Sequence, residues 1–285
     1  MTTPRTVYLN GEFLPFEQAR VPIMDRGFLF ADGIYEVSAI IDGRLVDNAA
    51  HLARLDRSLG EIGIRNPHDS AGWERLQTEL VARNGVTEGL VYMQVTRGVA
   101  ERDFAFPKAG TEPTVMMFTQ AKIVLANPLA ESGARIITVE DLRWKRRDIK
   151  SVALLAQVLA KQQAAEAGVA EAWMVEDGAV TEGSSSTAFI VSRERVLVTR
   201  PLSTALLPGI TRASVLRLAQ EADLRIEERL IPVDEAYAAQ EAFYTSASAF
   251  VMPVVQIDGR QIGEGRPGPL TRRLRALYIE GARRG

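Results

Sequence analysis

Cysteine is absent from this 285-residue chain. That removes disulfides, thiol nucleophiles and zinc–thiolate sites from consideration. Histidine is nearly absent: His51 and His68 are the only two. A multi-histidine metal centre or a His-based triad has little to draw on, and no metal site is expected. No apolar run approaches the roughly 18 residues of a membrane-spanning helix. The opening Met1-Thr-Thr-Pro-Arg5 carries no apolar signal core, so a cytoplasmic, membrane-free protein is the expectation. Charge is not in excess either. A net charge of −2 gives no overall drive toward nucleic acid or an anionic membrane. Lysine is scarce: of 34 basic residues only Lys108, Lys122, Lys145, Lys150 and Lys161 are lysine. Any chemistry that needs a lysine amine has five candidates.

The length suggests two domains or one large one. The first part reads as short strands with turn punctuation. Residues 7–9 and 12–14 flank Asn10-Gly11, a strong hairpin signal. Residues 34–41 are strand-like. Apolar residues at 49, 52, 55 and 59 predict a helix over 48–59, and a second helix is expected from about Trp73 to Arg83, stopping near Gly85. Strands at 90–97 and 114–119 enclose a loop over 98–113. The second part mixes strands near 135–139, 172–176, 179–180, 188–192 and 196–199 with helices. One of these is expected to be capped by Ser151, with Val152, Leu154, Leu155, Val158 and Leu159 on its apolar face and Gly168 as its stop. Another opens at Leu207-Pro-Gly-Ile-Thr211 and runs to about Ala222. The pattern is α+β with many hairpins rather than alternating βαβ units.

Three segments carry candidate chemistry. Lys150 closes Asp141-Leu-Arg-Trp-Lys-Arg-Arg-Asp-Ile-Lys150. It reads either as a surface lysine or as a buried amine whose apolar neighbours and nearby Arg146 and Arg147 depress its pKa. Lys145, among Arg143, Arg146 and Arg147, reads as part of a solvated face. The glycine and helix start at 207–211 form either an ordinary helix cap or an anion site, with backbone N–H groups and the Thr211 hydroxyl facing a phosphate. Arg54 can add a charge-assisted contact to such a phosphate, or sit on the surface. Glu182, in Thr181-Glu-Gly-Ser-Ser-Ser186, reads either as an exposed loop residue or as a buried carboxylate. A neutral lysine amine can form a Schiff base with an aldehyde, and a buried carboxylate can hold a proton on a pyridine nitrogen. Pyridoxal phosphate chemistry uses that pair.

Several motifs occur together and in order: Asp25-Arg-Gly-Phe28, Gly33-Ile-Tyr-Glu36, His51-Leu-Ala-Arg54, Gln94-Val-Thr-Arg-Gly98, Asp148-Ile-Lys150, Thr181-Glu-Gly-Ser184, Leu207-Pro-Gly-Ile-Thr-Arg212 and Thr245-Ser246. Over almost its whole length the chain resembles the fold-type IV pyridoxal-phosphate aminotransferases, which include branched-chain L-amino-acid and D-amino-acid aminotransferases. The resemblance implies an α+β, two-domain enzyme with the cofactor between its domains. The first domain is expected over 1–119, a linker over 120–127, and an α/β-barrel-like domain over 128–285 that carries the Schiff-base lysine. It implies Lys150 as that catalytic lysine and Glu182 at the pyridine nitrogen. Arg54, Ile210 and Thr211 are implied at the phosphate, Leu207 on the ring, and Ser185, Ser186, Ser246 and Ala247 around the cofactor.

Within the family, Thr181-Glu-Gly-Ser-Ser-Ser and the loop 94–107 are similar to the D-amino-acid enzymes. In those, a tyrosine matching Tyr35 and an arginine matching Arg102 hold the substrate α-carboxylate, the arginine on a loop reaching in from a second subunit of a homodimer. Here Arg102-Asp-Phe104 replaces an Arg-x-His pattern, so Phe104 stands where a polar helper is expected, and Ala247 stands where a threonine is. The implied reaction moves the amino group of a D-amino acid to a 2-keto acid such as 2-oxoglutarate or pyruvate. The alternatives within the fold are a branched-chain L-amino-acid aminotransferase and an (R)-amine transaminase. A non-catalytic reading, with Arg143–Lys150 as a basic nucleic-acid patch, runs against the chain's acidic balance.

Overall fold

The computed structural model describes residues 5–108 and 110–284. Residues 1–4, over which no signal core is expected, lie outside that description. The chain divides into two compact units. One comprises Met1–Ile123 and Ile149–Ala153, the other Val124–Asp148 and Leu154–Gly285. The division therefore falls inside the expected linker, and the Lys150 segment groups with the first unit rather than the second.

The first unit runs β1 (Thr6–Leu9), β2 (Glu12–Pro15), α1 (Arg26–Phe30), β3 (Gly33–Ile41), β4 (Arg44–Leu45), α2 (Asn48–Glu61), α3 (Ser70–Asn84), β5 (Glu88–Thr96) and β6 (Thr114–Ala121). Its strands form a six-stranded sheet in the order β2-β1-β6-β5-β3-β4, antiparallel throughout. Asn10 and Gly11 both take positive φ, 47° and 100°, which lets two residues turn β1 into β2 without splaying the strands. Leu52, Leu55 and Leu59 share one face of α2 and are buried with Trp73 and Leu80 of α3 against the sheet. Each such leucine contributes about 1.5–3 kcal/mol through burial. The Asp69 side chain caps α3 by accepting from Gly72 N–H at 2.7 Å, and Gly85, at φ 59°, ends it.

Residues 149–153 join this unit as extended chain. Tyr35 N–H donates to the Lys150 carbonyl at 3.0 Å, Val152 N–H donates to the Gly33 carbonyl at 3.0 Å, and Ser151 bridges to Ile34. Ile149 is buried in the α2–α3 core. Ser151 is therefore not a helix cap. Its backbone is engaged along β3, and the helix begins only at Leu155.

The second unit runs α4 (Pro128–Ser132), β7 (Ala134–Glu140), α5 (Leu155–Glu166), β8 (Glu171–Glu176), β9 (Ala179–Gly183), β10 (Thr187–Val191), β11 (Leu197–Thr199), α6 (Ile210–Glu221), β12 (Ile226–Glu228), β13 (Ile231–Pro232), α7 (Val233–Ala238), β14 (Glu241–Ser246), β15 (Phe250–Ile257), β16 (Arg260–Gln261) and α8 (Pro269–Arg284). Its sheet has ten strands along the path β12-β11-β10-β14-β15-β7-β8-β9-β13, with β16 beside β15. The pairs β15–β7, β7–β8 and β11–β12 are parallel. The uninterrupted apolar run of β10 is buried on both faces, as the burial of all its residues shows. Phe189 stacks on Phe243 of neighbouring β14, centroids 4.8 Å apart.

The face expected to anchor α5 is instead its outer one. Leu155, Val158 and Leu159 are 72, 57 and 47% exposed. The helix packs through Ala160 and Ala164 onto Ala172 and Met174. Small side chains there let α5 lie close to β8.

Candidate active site

In the first unit, β3 presents Tyr35 and Glu36, and α2 presents His51, Arg54 and Ser58. The 149–153 segment sets Lys150 beside them. The Lys150 backbone N–H reaches Ser58 Oγ at 3.4 Å. Its Nζ stands over the Tyr35 ring, 4.1 Å from the centroid, a cation–π geometry that keeps the amine from wandering. Tyr35 stacks in turn on Tyr92, and Tyr92 on Phe118. The Tyr92 hydroxyl donates to Gln94 Oε1 at 2.8 Å.

Glu36 is fully buried. It accepts from Arg54 Nε at 2.7 Å and Nη2 at 2.8 Å, and His51 Nδ1 lies 2.8 Å from its Oε2. Burial alone would raise the Glu36 carboxyl, but the Arg54 charge and the hydrogen bonds from Arg54 and His51 outweigh it and hold the pKa at about 2. The bidentate pair fixes the plane of the Arg54 guanidinium. Neither Glu36 nor His51 carries a role legible in the sequence alone. The usable signal was a glutamate on an otherwise apolar strand, which must find a cation once buried.

Arg102 lies on the exposed loop after β5. Its guanidinium stands over the rings of Phe30 and Phe104, at 5.3 and 5.5 Å from their centroids. Phe104, 79% exposed, packs tilted on Phe30 at 5.5 Å.

In the second unit, Glu182 ends up buried near the close of β9. It accepts from Arg143 Nη1, and the Leu207 N–H faces both of its oxygens at 3.2 Å. Asp141 holds the other edge of Arg143, with Nε at 2.9 Å and Nη2 at 2.7 Å, and Thr181 Oγ1 donates to Asp141 at 2.6 Å. Burial pushes the Glu182 carboxyl above its usual range, against the pull of Arg143 and the Leu207 N–H. Asp141 goes the other way: burial would raise it, but hydrogen bonds and charge from Arg143 and the Thr181 hydroxyl bring it down. The expected solvated face around Lys145 is thus corrected. Lys145 is exposed, but Arg143 is tied to Asp141 and Glu182, and Arg147 is buried against Glu176 at 2.7 Å. Glu182 lies 39 residues from Arg143 and Glu176 lies 29 from Arg147, out of reach of a local reading.

The serine loop is held from below by buried Glu171, which accepts from Ser184 Oγ and from Ser186 Oγ, the latter at 3.2 Å. Ser185 is exposed. Leu207 N–H engages Glu182, as above. Ile210 and buried Thr211 open α6, whose cap residue, Gly209, contributes no side-chain hydrogen bond. A Cβ on Gly209 would stand 2.7 Å from Thr187 Oγ1 and 3.2 Å from Arg212 Cβ. The chain therefore requires glycine where the first-turn N–H groups open. Ser246 ends β14, 3.4 Å from Ser248 Oγ, with Ala247 between them.

These features fit pyridoxal phosphate. The second unit offers a desolvated carboxyl for a pyridine nitrogen and an uncapped helix start behind an obligatory glycine, suited to a phosphate. The first offers a lysine amine held by an aromatic ring.

The profile of Amino-transferase class IV matches residues 33–257. A D-alanine aminotransferase of Bacillus licheniformis is 42% identical over 94% of this chain and 94% of its own length. One from Staphylococcus aureus (strain MSSA476) is 38% identical over 96% of this chain and 98% of its own. Among solved structures, the branched-chain amino acid aminotransferase of T.th., with pyridoxamine 5'-phosphate, superposes with a TM-score of 0.90 at 27% identity, covering 99% of this chain and 95% of that one. The chain belongs to the class IV aminotransferases. It is a pyridoxal-phosphate-dependent aminotransferase of the α+β, two-domain kind, acting on amino and keto acids.

Proposed function

We propose that the protein is a D-amino-acid transaminase, moving the amino group of a D-amino acid to 2-oxoglutarate or pyruvate. The observation that carries this is the 38–42% identity to D-alanine aminotransferases over nearly the full chain, against 27% to the branched-chain enzyme of like fold. An (R)-amine transaminase is a weaker reading, because an amine has no carboxylate for Arg102 to bind.

The bound cofactor supplies an electron sink for the carbanion left when a donor loses its α-proton. Lys150 Nζ would hold the cofactor and would carry the donor's α-proton. Glu182 would hold a proton on the pyridine nitrogen, and Leu207 would pack on the ring. Arg54, Ile210 and Thr211 hold the phosphate, and Ser185, Ser186, Ser246 and Ala247 complete the surround. Tyr35 and Arg102 take the α-carboxylate, with Phe104 as the apolar wall of that trap. The loop bearing Arg102 serves a second subunit of a homodimer. Exposed Val21, Ile23, Phe28, Val99 and Phe106 on the first unit support such an interface. Among the described residues no helix is long and apolar enough to cross a membrane, and we place the enzyme in the cytoplasm.

Half-reaction spectra with paired D- and L-amino acids and simple primary amines test this. Faster conversion by D-alanine than by L-alanine, or by L-leucine, is expected. A clear preference for an L-enantiomer overturns the D-assignment and leaves the aminotransferase chemistry standing.

A further inference from the structure

We propose that Asp32 is a positioning residue for substrate-carboxylate recognition: with Arg26 and Arg97 it forms an ionic latch that sets where the Arg102 loop lies. The inference rests on the reading of Arg102 as the α-carboxylate partner. Every residue in it belongs to the first unit.

Asp32 is shared by two buried arginines. Its Oδ2 accepts from Arg26 Nε at 2.8 Å and Arg97 Nε at 2.7 Å, and its Oδ1 from Arg97 Nη2 at 3.0 Å. Arg97 is fastened to the body of the unit, donating to the carbonyls of Ile62 at 2.7 Å and Gly63 at 3.0 Å, just past the end of α2. It also lies over the Phe106 ring, 3.6 Å from the centroid. Arg26 reaches the other way, donating from Nη1 to the Asp103 carbonyl at 2.6 Å and from Nη2 toward the Phe104 carbonyl at 3.5 Å. Its guanidinium covers Phe30, the same ring that flanks Arg102.

Residues 103, 104 and 106 are thus each held by one of two arginines that depend on a single carboxylate. The side chains of Arg102, Asp103, Phe104 and Phe106 are exposed, so the loop has no core of its own to fix it. Two guanidinium groups buried this close repel one another unless an anion lies between them. Removing the Asp32 charge therefore loosens Arg26 first, since Arg97 keeps two carbonyls on the body of the unit whereas Arg26 keeps only carbonyls of the loop itself. The Asp103 and Phe104 carbonyls lose their donor, and Arg102 loses its fixed approach.

The test compares holoenzymes carrying Asp32→Asn, Arg26→Lys and Arg102→Ala, with KM and kcat measured for D-alanine. Asp32→Asn should raise KM roughly tenfold with kcat changed by less than about threefold, the signature of lost binding rather than lost chemistry. In the Arg102→Ala background, Asp32→Asn should add nothing further to KM, because it acts through Arg102. Should Asp32→Asn fail to fold, Arg26→Lys decides. It keeps the charge beside Asp32 but lacks the fork that reaches two carbonyls, and the same rise in KM is expected. An unchanged KM in folded Asp32→Asn or in Arg26→Lys, or effects of Asp32→Asn and Arg102→Ala that simply add, overturns the latch while the carboxylate reading stands. An unchanged KM in Arg102→Ala overturns both.

Discussion

Glu36 shows what a buried charge demands of its neighbours. Its carboxyl is held at about 2 rather than 4.5, so the folded state prefers the ionised form. The stability this contributes, on the order of 3 kcal/mol by linkage, is fully present above about pH 5. It is lost progressively as pH falls from the unfolded value toward the folded one, near pH 2. Melting temperatures followed from pH 7 to pH 3 should fall more steeply for the wild type than for Glu36→Gln. At neutral pH that variant should already be destabilised by about 3–5 kcal/mol, because Arg54 is left buried beside a neutral amide. Equal acid sensitivity in both proteins would place the titrating group elsewhere. Glu182 answers to the opposite balance. Burial keeps its carboxyl prone to hold a proton even with Arg143 in contact. Glu182→Gln should bind cofactor, seen in its visible absorbance, yet lose roughly 10²-fold in kcat, the scale for removing one preorganised electrostatic partner. Undiminished turnover would show that the ring partner is another group.

Individual elements differ in how far they could be read from sequence, and the difference follows the range of their interactions. The β1–β2 hairpin was legible because Asn10 and Gly11 meet a backbone requirement within two residues. Helix α2 was legible because its apolar spacing is local, and α3 because Gly85 marks its end within one turn. Helix α5 was read inside out. Its leucines and valine follow helical spacing, yet the strand beneath it leaves room only for Ala160 and Ala164. That is a fact about β8, not about α5. Lys150 was singled out by its motif, but its backbone state was not legible. The extended pairing of Ser151 with Ile34 spans more than a hundred residues and overrides the helical pattern that follows it. Arg143 was misread for the same reason, since Glu182 lies 39 residues away. A direct check on α5 follows. Ala164→Leu should destabilise by about 1–3 kcal/mol through overpacking, whereas Val158→Ala, on the outer face, should stay within about 0.5 kcal/mol. Denaturant midpoints of the two variants give the comparison, and the reverse ranking would invalidate the packing described.

At the scale of the whole molecule, Arg275 ties α8 into the second unit through backbone carbonyls. It donates to the carbonyls of Ala249 and Val251 at 2.9 Å and to those of Val124 and Leu125 at 3.1 and 3.0 Å. Four backbone acceptors on two separate stretches of chain are satisfied by one side chain. Arg275→Met should cost about 3 kcal/mol or more, since each buried carbonyl left without a donor costs about 1–3 kcal/mol. Faster amide exchange near residues 124–125 should accompany the loss. A variant as stable as the parent would mean that water or relaxation replaces the guanidinium fully.

The route of the chain has a further consequence for how the protein is made. The chain leaves the first unit at Ile123, starts the second, returns for Ile149–Ala153 and leaves again. A ribosome delivers residues 1–123 well before the short stretch that seats Ile149 in their core and runs beside Gly33–Tyr35. The N-terminal unit must therefore wait, incomplete, while the opening of the C-terminal unit is synthesised. Lys150 reaches its place beside Tyr35 only when that late stretch docks, so completion of the N-terminal core and arrival of the Lys150 amine are the same event.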